Sequence, residues 1–381
     1  MLRLMTLMLV IYISSCQSLQ PAKTKSQWYQ LQQTTSSDCM QWPLRDGDLR
    51  IDEVIAVKGY KPGFLVSGLR RNNSPFAYFS EYKSGKPAPD EFRQFQINPG
   101  QKLIGAHSDN GQLIIASAIN TENGSKVILQ NLANKQTLAE KHMPNLEILD
   151  GKLVSSRNGF WLLLESSDHR TSAMFAGLGK GPPSLQSLDG ASWVNQPTLV
   201  PSGAEPTALV IWQDDASQPK IHTQVVRESG TALPSVILPL ETNDLEGWAA
   251  TARNQRLYVA LVEGDTMVGE AQLKITTFRF ANSGFIAEKS TKFAINDVHT
   301  SAPLFLDGSE GLELVLLNWI DEESTIARYL VTSTKGSKPR FSGVFPKGLR
   351  IMGQLAAAGE GDFVVTRHRS GLQWIFQQCR I

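Results

Sequence analysis

From about residue 50 the chain is written in short apolar runs separated by polar breaks. The runs are rich in β-branched and aromatic residues, Gly, Asn, Asp and Pro mark the breaks, and helical spacing of apolar positions is scarce. The pattern predicts an all-β chain. The strongest runs follow a turn and end in polar or charged residues: GFLVSGLRRNN, GQLIIASAINTENG, GFWLLLESSDHR, TALVIWQDDASQ, RLYVALVEGD, LELVLLNWIDEES and DFVVTRHRSG. Anchored on Leu65, Leu113, Leu162, Leu209, Leu257, Leu314 and Val364, they lie 48, 49, 47, 48, 57 and 50 residues apart. Spacing this steady marks an internal repeat.

Each anchor run has the same neighbours. A shorter run rich in small residues precedes it (VIAVK, LIGAH, KLVSS, PTLVP, GWAATA, SAPLFL, GQLAAA). A third run follows the polar loop (FAYFSEY, SKVILQN, TSAMFAG, KIHTQVV, LKITTFRF, TIARYLV, LQWIFQQ), and a weaker fourth usually comes next. Four strands in a repeat of about 48 residues are the signature of a β-propeller blade, whose innermost strands crowd round an axis and favour small side chains. The seventh repeat reaches Ile381 after three strands, while Gln27 to Leu44 is unassigned and strand-like in part. This resembles the ring closure of many propellers, in which an N-terminal strand completes the last blade. The expected fold is therefore all-β: a β-propeller of seven four-stranded blades closed by an N-terminal strand, one domain over residues 27–381. An eight-bladed ring or a pair of β-sandwiches are the alternatives; residues 17–53 are too few for a further blade.

The first residues carry an address. Arg3 is the one charge before the apolar run Leu7 to Ile13. The run is too short for a membrane span, which needs about 20 apolar residues, and reads as a secretory signal peptide over residues 1–15. Its end, Ile13-Ser14-Ser15-Cys16, resembles the lipobox of bacterial lipoproteins. The resemblance covers the leader alone. It implies that Cys16 is acylated, becomes the mature N-terminus and carries several acyl chains, which hold a membrane far more firmly than one. Gln17, standing where an Asp would signal retention, resembles the outer-membrane sorting signal of enteric-type bacteria. The implied place is the outer membrane, with the ring in the periplasm or at the cell surface and residues 16–26 as lipidated cysteine and polar tether.

Charge narrows the partners. The net charge of +1 falls to zero once Arg3 is removed with the leader. With no basic excess or stripe, nucleic acid is not an expected partner. Two cysteines remain, Cys39 and Cys379. In an oxidising compartment an isolated pair is expected to bond, enclosing 340 residues. The chain-entropy model then gives roughly 5–6 kcal/mol. Such a bond needs the two ends of the fold to meet, as ring closure does.

Chemistry is sparse. G-x-S-x-G, H-E-x-x-H, P-loop and C-x-x-C patterns are missing, and no catalytic residue, metal-ligand set or cofactor is assigned. The Asp boxes of sialidase-type propellers, S-x-D-x-G-x-x-W, do not occur. Nor does the tryptophan-docking repeat shared by quinone-dependent dehydrogenases and the propeller lipoprotein of the outer-membrane barrel-assembly machinery, so the likeness to the latter is one of architecture and address. Asp297 with His299, and His107 with Asp109, read as incidental polar pairs.

The remaining signal is positional. If the strands of a blade are lettered A to D outward, they alternate in direction, and the B–C and D–A loops of all blades share one face. The B–C loops present Arg70 and Arg71 in blade 1; Asp168, His169 and Arg170 in blade 3; and Asp214 and Asp215 after Trp212 in blade 4. They present Glu263 and Asp265 in blade 5; Asp321, Glu322 and Glu323 after Trp319 in blade 6; and Arg367, His368 and Arg369 in blade 7. Blades 7 and 1 are neighbours on a ring, so the face would carry a basic sector there and an acidic one over blades 4–6. Such a split field orients a charged partner and raises its capture rate, and aromatic residues beside charges suit a binding surface. The expected function is a protein–protein interaction module for an envelope or secreted protein: an assembly scaffold, a secretion accessory or a toxin-neutralising immunity protein. The alternatives are a glycan- or peptide-acting hydrolase or lyase with its site at the axis mouth, and a structural spacer.

Overall fold

The computed structural model describes residues 39–380, apart from 44–48, 60–62, 189–197, 202–206, 265–270, 334–338, 350–354 and the tips of several shorter turns. Side chains are described within 55–341, with gaps. Every regular element among the described residues is a β-strand. The chain opens with β1 (Cys39–Pro43). The first unit follows: β2 (Leu49–Gly59), β3 (Gly63–Arg70), β4 (Pro75–Lys83) and β5 (Lys86–Phe95). The second is β6 (Gln101–Asp109), β7 (Gln112–Thr121), β8 (Gly124–Asn131) and β9 (Gln136–Pro144). The third is β10 (Ile148–Ser156), β11 (Gly159–Ser166), β12 (Thr171–Gly177) and β13 (Ser184–Ser187). The fourth is β14 (Thr198–Pro201), β15 (Thr207–Gln213), β16 (Ile221–Arg227) and β17 (Val236–Ile237). The fifth is β18 (Leu245–Arg253), β19 (Arg256–Glu263), β20 (Ala271–Ala281) and β21 (Gly284–Ile295). The sixth has a divided first strand, β22 (His299–Thr300) and β23 (Leu304–Gly308), then β24 (Gly311–Ile320), β25 (Glu323–Ser333) and β26 (Arg340–Leu349). The last is β27 (Leu355–Ala358), β28 (Phe363–Ser370) and β29 (Gln373–Arg380).

Within each unit the strands pair antiparallel in chain order. The last unit is completed from the other end of the chain: its sheet runs β1-β29-β28-β27, and β1 meets β29 with Cys39 opposite Cys379 and Pro43 opposite Ile375. The first strands of successive units stand side by side, β2 next to β6, then β10, β14, β18, β23 and β27, and β27 stands next to β2 again. Sheets radiating from a closed cycle of innermost strands make a β-propeller. Between the first two units the inner strands also bond in parallel, at Lys58↔His107 and Gly59↔Ser108, which joins the two units into one eight-stranded sheet.

Burial explains why the second runs were so apolar. A second strand has a neighbouring sheet on each face, so both sets of side chains are covered and alternation is lost. All eight residues of β11 are buried, as are six of seven in β15. Phe160, Leu162 and Leu164 pack toward the second unit against Ala116, Val127 and Leu129. Trp161 and Leu163 pack the other way, against Val210, Trp212 and Val226 of the fourth. Similar cores fill the interfaces between the fourth and fifth units and between the fifth and sixth. Outer strands have a wet edge and alternate, as β21 does. In β17 only two residues pair, because Pro234 and Pro239 flank them and proline cannot donate to a ladder.

Five of the inner strands share an irregularity that no sequence pattern announced. A bulge interrupts the first-to-second strand pairing between Ile51 and Glu53, Leu103 and Gly105, Ile148 and Asp150, and Leu245 and Gly247. The sixth unit breaks at the corresponding place, where β22 ends opposite Asn318 and β23 resumes opposite Val315. A bulge bends its strand and re-aims the next side chains. The inner strands of these five units therefore turn at the end that faces the B–C loops, whereas β14 and β27 pair without a shift.

Candidate functional site

Strand alternation places the D–A connections and B–C loops on one face, and hydrogen bonds tie the two sets together. In the second unit Asn120, at the end of β7, acts as a substitute strand. Its Nδ2 donates to the Ile148 carbonyl at 3.0 Å and its Oδ1 accepts from the Ile148 amide at 3.2 Å. Ser125 Oγ lies 2.5 Å from Asn120 Oδ1 and 2.7 Å from the Leu146 carbonyl, and its one proton can be given to either. One B–C hairpin thus holds the connection into the next unit. From the other side, the B–C loop of the third unit holds the connection by which the chain enters that unit, as the Ser167 amide donates to the Glu147 carbonyl at 2.8 Å. In the fifth, the Gly264 amide donates to the Asp244 carbonyl at 2.9 Å.

The expected loop residues divide into three groups. Some shape their own loops. Asp168 accepts from Ser166 Oγ at 2.6 Å and from the Arg170 amide at 3.3 Å, and pairs with the Arg170 guanidinium at 3.7 Å. Arg170 itself is exposed. Asp214 accepts from the Lys220 amide at 2.8 Å and meets His222 Nε2 at 2.8 Å. Burial works to raise the Asp214 carboxyl, but the Lys220 amide and His222 outweigh it and hold it below the usual range. Trp212, expected as an exposed aromatic beside these charges, is 1% exposed instead. Its register partner is His222, on which it stacks with ring centres 5.5 Å apart. It belongs to the core between the third and fourth units.

A second group is placed by backbone. Arg70 ends β3, Trp319 lies in β24, Glu323 opens β25, and Arg367 and Arg369 alternate along β28. The units holding Arg70 and the Arg367–Arg369 pair are neighbours in the cycle, since β2 stands beside β27. The third group, Arg71, Asp215, Asp265, Asp321 and Glu322, lies outside the described residues, as does Cys16. On the fourth-to-fifth connection the described face carries exposed Glu241, Asp244 and Glu246, with Lys220 near them in sequence order of the loops.

Sequence reasoning missed a mixed cluster on the innermost strands. Asp150 and Lys152 alternate along β10, and Asp150 is opposite Glu165 of β11. Glu165 is 8% exposed, whereas Asp150 and Lys152 keep contact with solvent. Both lie on β10, the innermost strand of the third unit, with the inner strands of the neighbouring units close on either side. Desolvation at that depth lowers the Lys152 ammonium below the usual lysine range, against the pull of Glu165 and Asp150. Burial first, then Asp150, pushes the Glu165 carboxyl up to about 7, while Lys152 and Lys102 draw it down. Thr171, opposite Glu165 on the next strand, has a buried hydroxyl without a hydrogen-bond partner. A carboxyl that titrates near neutrality beside an ammonium can exchange protons or hold a polar ligand. The one signal in the sequence was a lysine in a small-residue strand, in DGKLVSS.

No family model matches the chain, and no curated protein matches it either. Solved structures do resemble it. Hydrazine synthase from Kuenenia stuttgartiensis aligns at a TM-score of 0.54 and 10% identity, over 84% of this chain and 92% of that one. Hsv2 from Kluyvelomyces marxianus aligns at 0.51 and 11%, over 85% and 95%. The β-propeller domain of Myceliophteria thermophila Cps50 (Swd1) aligns at 0.48 and 11%, over 86% and 99%. At such identities the likeness is one of fold alone, and the closed cycle of inner strands makes this chain a β-propeller.

Proposed function

We propose that the chain is a lipid-anchored, seven-bladed propeller of the bacterial outer membrane, and that its loop-bearing face docks an envelope or secreted protein. The seven-bladed reading rests on the cycle of inner strands and on β1 completing the last sheet. The anchor reading rests on the Ile13-Ser14-Ser15-Cys16 leader. One observation carries the function: the D–A and B–C connections are gathered and hydrogen-bonded together on one face, with acidic residues Glu241, Asp244 and Glu246 exposed there. A stiff platform with sign-sorted charge selects a partner by complementary field. An assembly scaffold, a secretion accessory and an immunity protein all use such a platform, and the partner decides among them.

The test is a crosslinked pull-down from the native envelope with tagged mature chain, beside a control carrying Glu241→Lys, Glu246→Lys and Glu322→Lys. A stoichiometric protein captured by the first and lost from the second is the expected outcome. Equal capture by both would move the docking surface off the acidic sector.

The Asp150–Lys152–Glu165 cluster favours a second reading, a glycan- or peptide-acting hydrolase or lyase, or a binder of such fragments, with its site at the axis mouth. Glycan or peptide fragments retained by the isolated ring, and released by Lys152→Met, would put this reading ahead of the first.

A further inference from the structure

The seam of the ring is held by little backbone. Among the described residues β1 pairs on one side only, with β29, across the five residues Cys39 to Pro43. A five-residue edge strand ending in proline is a weak fastening, and in the chain it lies on the anchor side of the ring. A pull from that side enters β1 at its first residue. That residue is Cys39, and the residue directly opposite it is Cys379. Directly opposed residues of an antiparallel pair lie on the same face with Cα atoms about 4.5–5.5 Å apart. Disulfides span Cα separations of about 4.4–6.8 Å. The register thus supplies the spacing that a bond requires, between the two cysteines left once Cys16 is taken by lipid.

We infer that Cys39 and Cys379 form an intramolecular disulfide that clasps the seam where the tether enters, so that load on the anchor passes into β29 through a covalent bond. Each thiol gives up its proton, the two sulfurs join, and two electrons with both protons pass to the disulfide of a protein oxidant, which leaves as a dithiol. The inference uses the exported reading of the leader and is independent of partner binding.

Two preparations test it. One is the mature chain isolated from the envelope under thiol-trapping conditions. The other is the chain made without its leader in a reducing cytosol, folded, and then treated with copper-phenanthroline. Both are digested unreduced and mapped by mass spectrometry. A single peptide joining Cys39 to Cys379 is expected in each. Reducing the folded, linked protein should lower its melting temperature by about 5–10 °C. Cys39→Ser should copy that fall, and adding Cys379→Ser should deepen it no further. Two trapped free thiols in the envelope preparation would overturn the clasp. In that event, linkage of the cytosolic chain would place the fault in the assigned compartment, and failure to link would place it in the geometry. Because reduction acts on the folded wild type, the result does not depend on a variant that folds.

Discussion

Glu165 begins in the unfolded chain with an ordinary carboxyl near 4.5 and is carried by burial and Asp150 to about 7 in the ring. Between those values the folded protein keeps a proton that the unfolded chain has released, so stability falls as pH rises. The contribution is whole below about 4.5 and is lost as pH passes about 7. Glu165→Gln stays neutral throughout, so it should gain on the wild type across that window, by on the order of 3 kcal/mol at its upper end. Denaturant titrations at about pH 4 and about pH 8 read the difference; an offset that is the same at both would show that Glu165 does not titrate there. This residue was hidden in the sequence because it ends an apolar run, where a charge looks like the start of a loop. Trp212 was misplaced for the converse reason. It stands one step before Gln213 and two before Asp214, yet β15 continues through it and pairs it with His222. The boundary between the last buried residue and the first exposed one depends on the partner strand, which a run of letters does not contain.

The anchor strands, their small inner neighbours and the third strands were legible as elements because each imposes its own composition. The inner bulges were not, since a bulge is a mismatch between two strands and leaves no trace in either alone. Their packing has a sharp consequence at Gly105. A Cβ there would collide with the Leu153 side chain on the adjoining inner strand and come within 2.8 Å of its amide nitrogen. Gly105→Ala must push β6 away from β10, an overpacking that costs about 1–3 kcal/mol. Thermal unfolding should show that loss, and Gly181→Ala, with nothing near its position, serves as the matched control. A neutral Gly105→Ala would mean that the inner strands stand further apart than described. The longer spacing before the sixth unit also has an origin among the elements. β20 and β21 run to 11 and 12 residues, and the sixth inner strand is split in two.

At the scale of the whole molecule the repeat foretold the ring and the missing strand foretold its seam. The charged loops were foretold as a basic sector over the last and first blades and an acidic one over blades 4–6, an arrangement that needs the cycle setting the last unit beside the first. If the acidic sector steers a basic partner, the association rate should fall steeply between about 50 mM and about 300 mM salt while dissociation changes little. Surface-plasmon kinetics with the captured partner reads both, and a salt-independent association rate would remove steering from the account.

The parallel rungs between the first two units, Lys58↔His107 and Gly59↔Ser108, lie at the ends of β2 and β6 remote from the loop face. There the inner edges of two units share backbone hydrogen bonds, so at that end the first two units are tied to each other by more than side-chain packing.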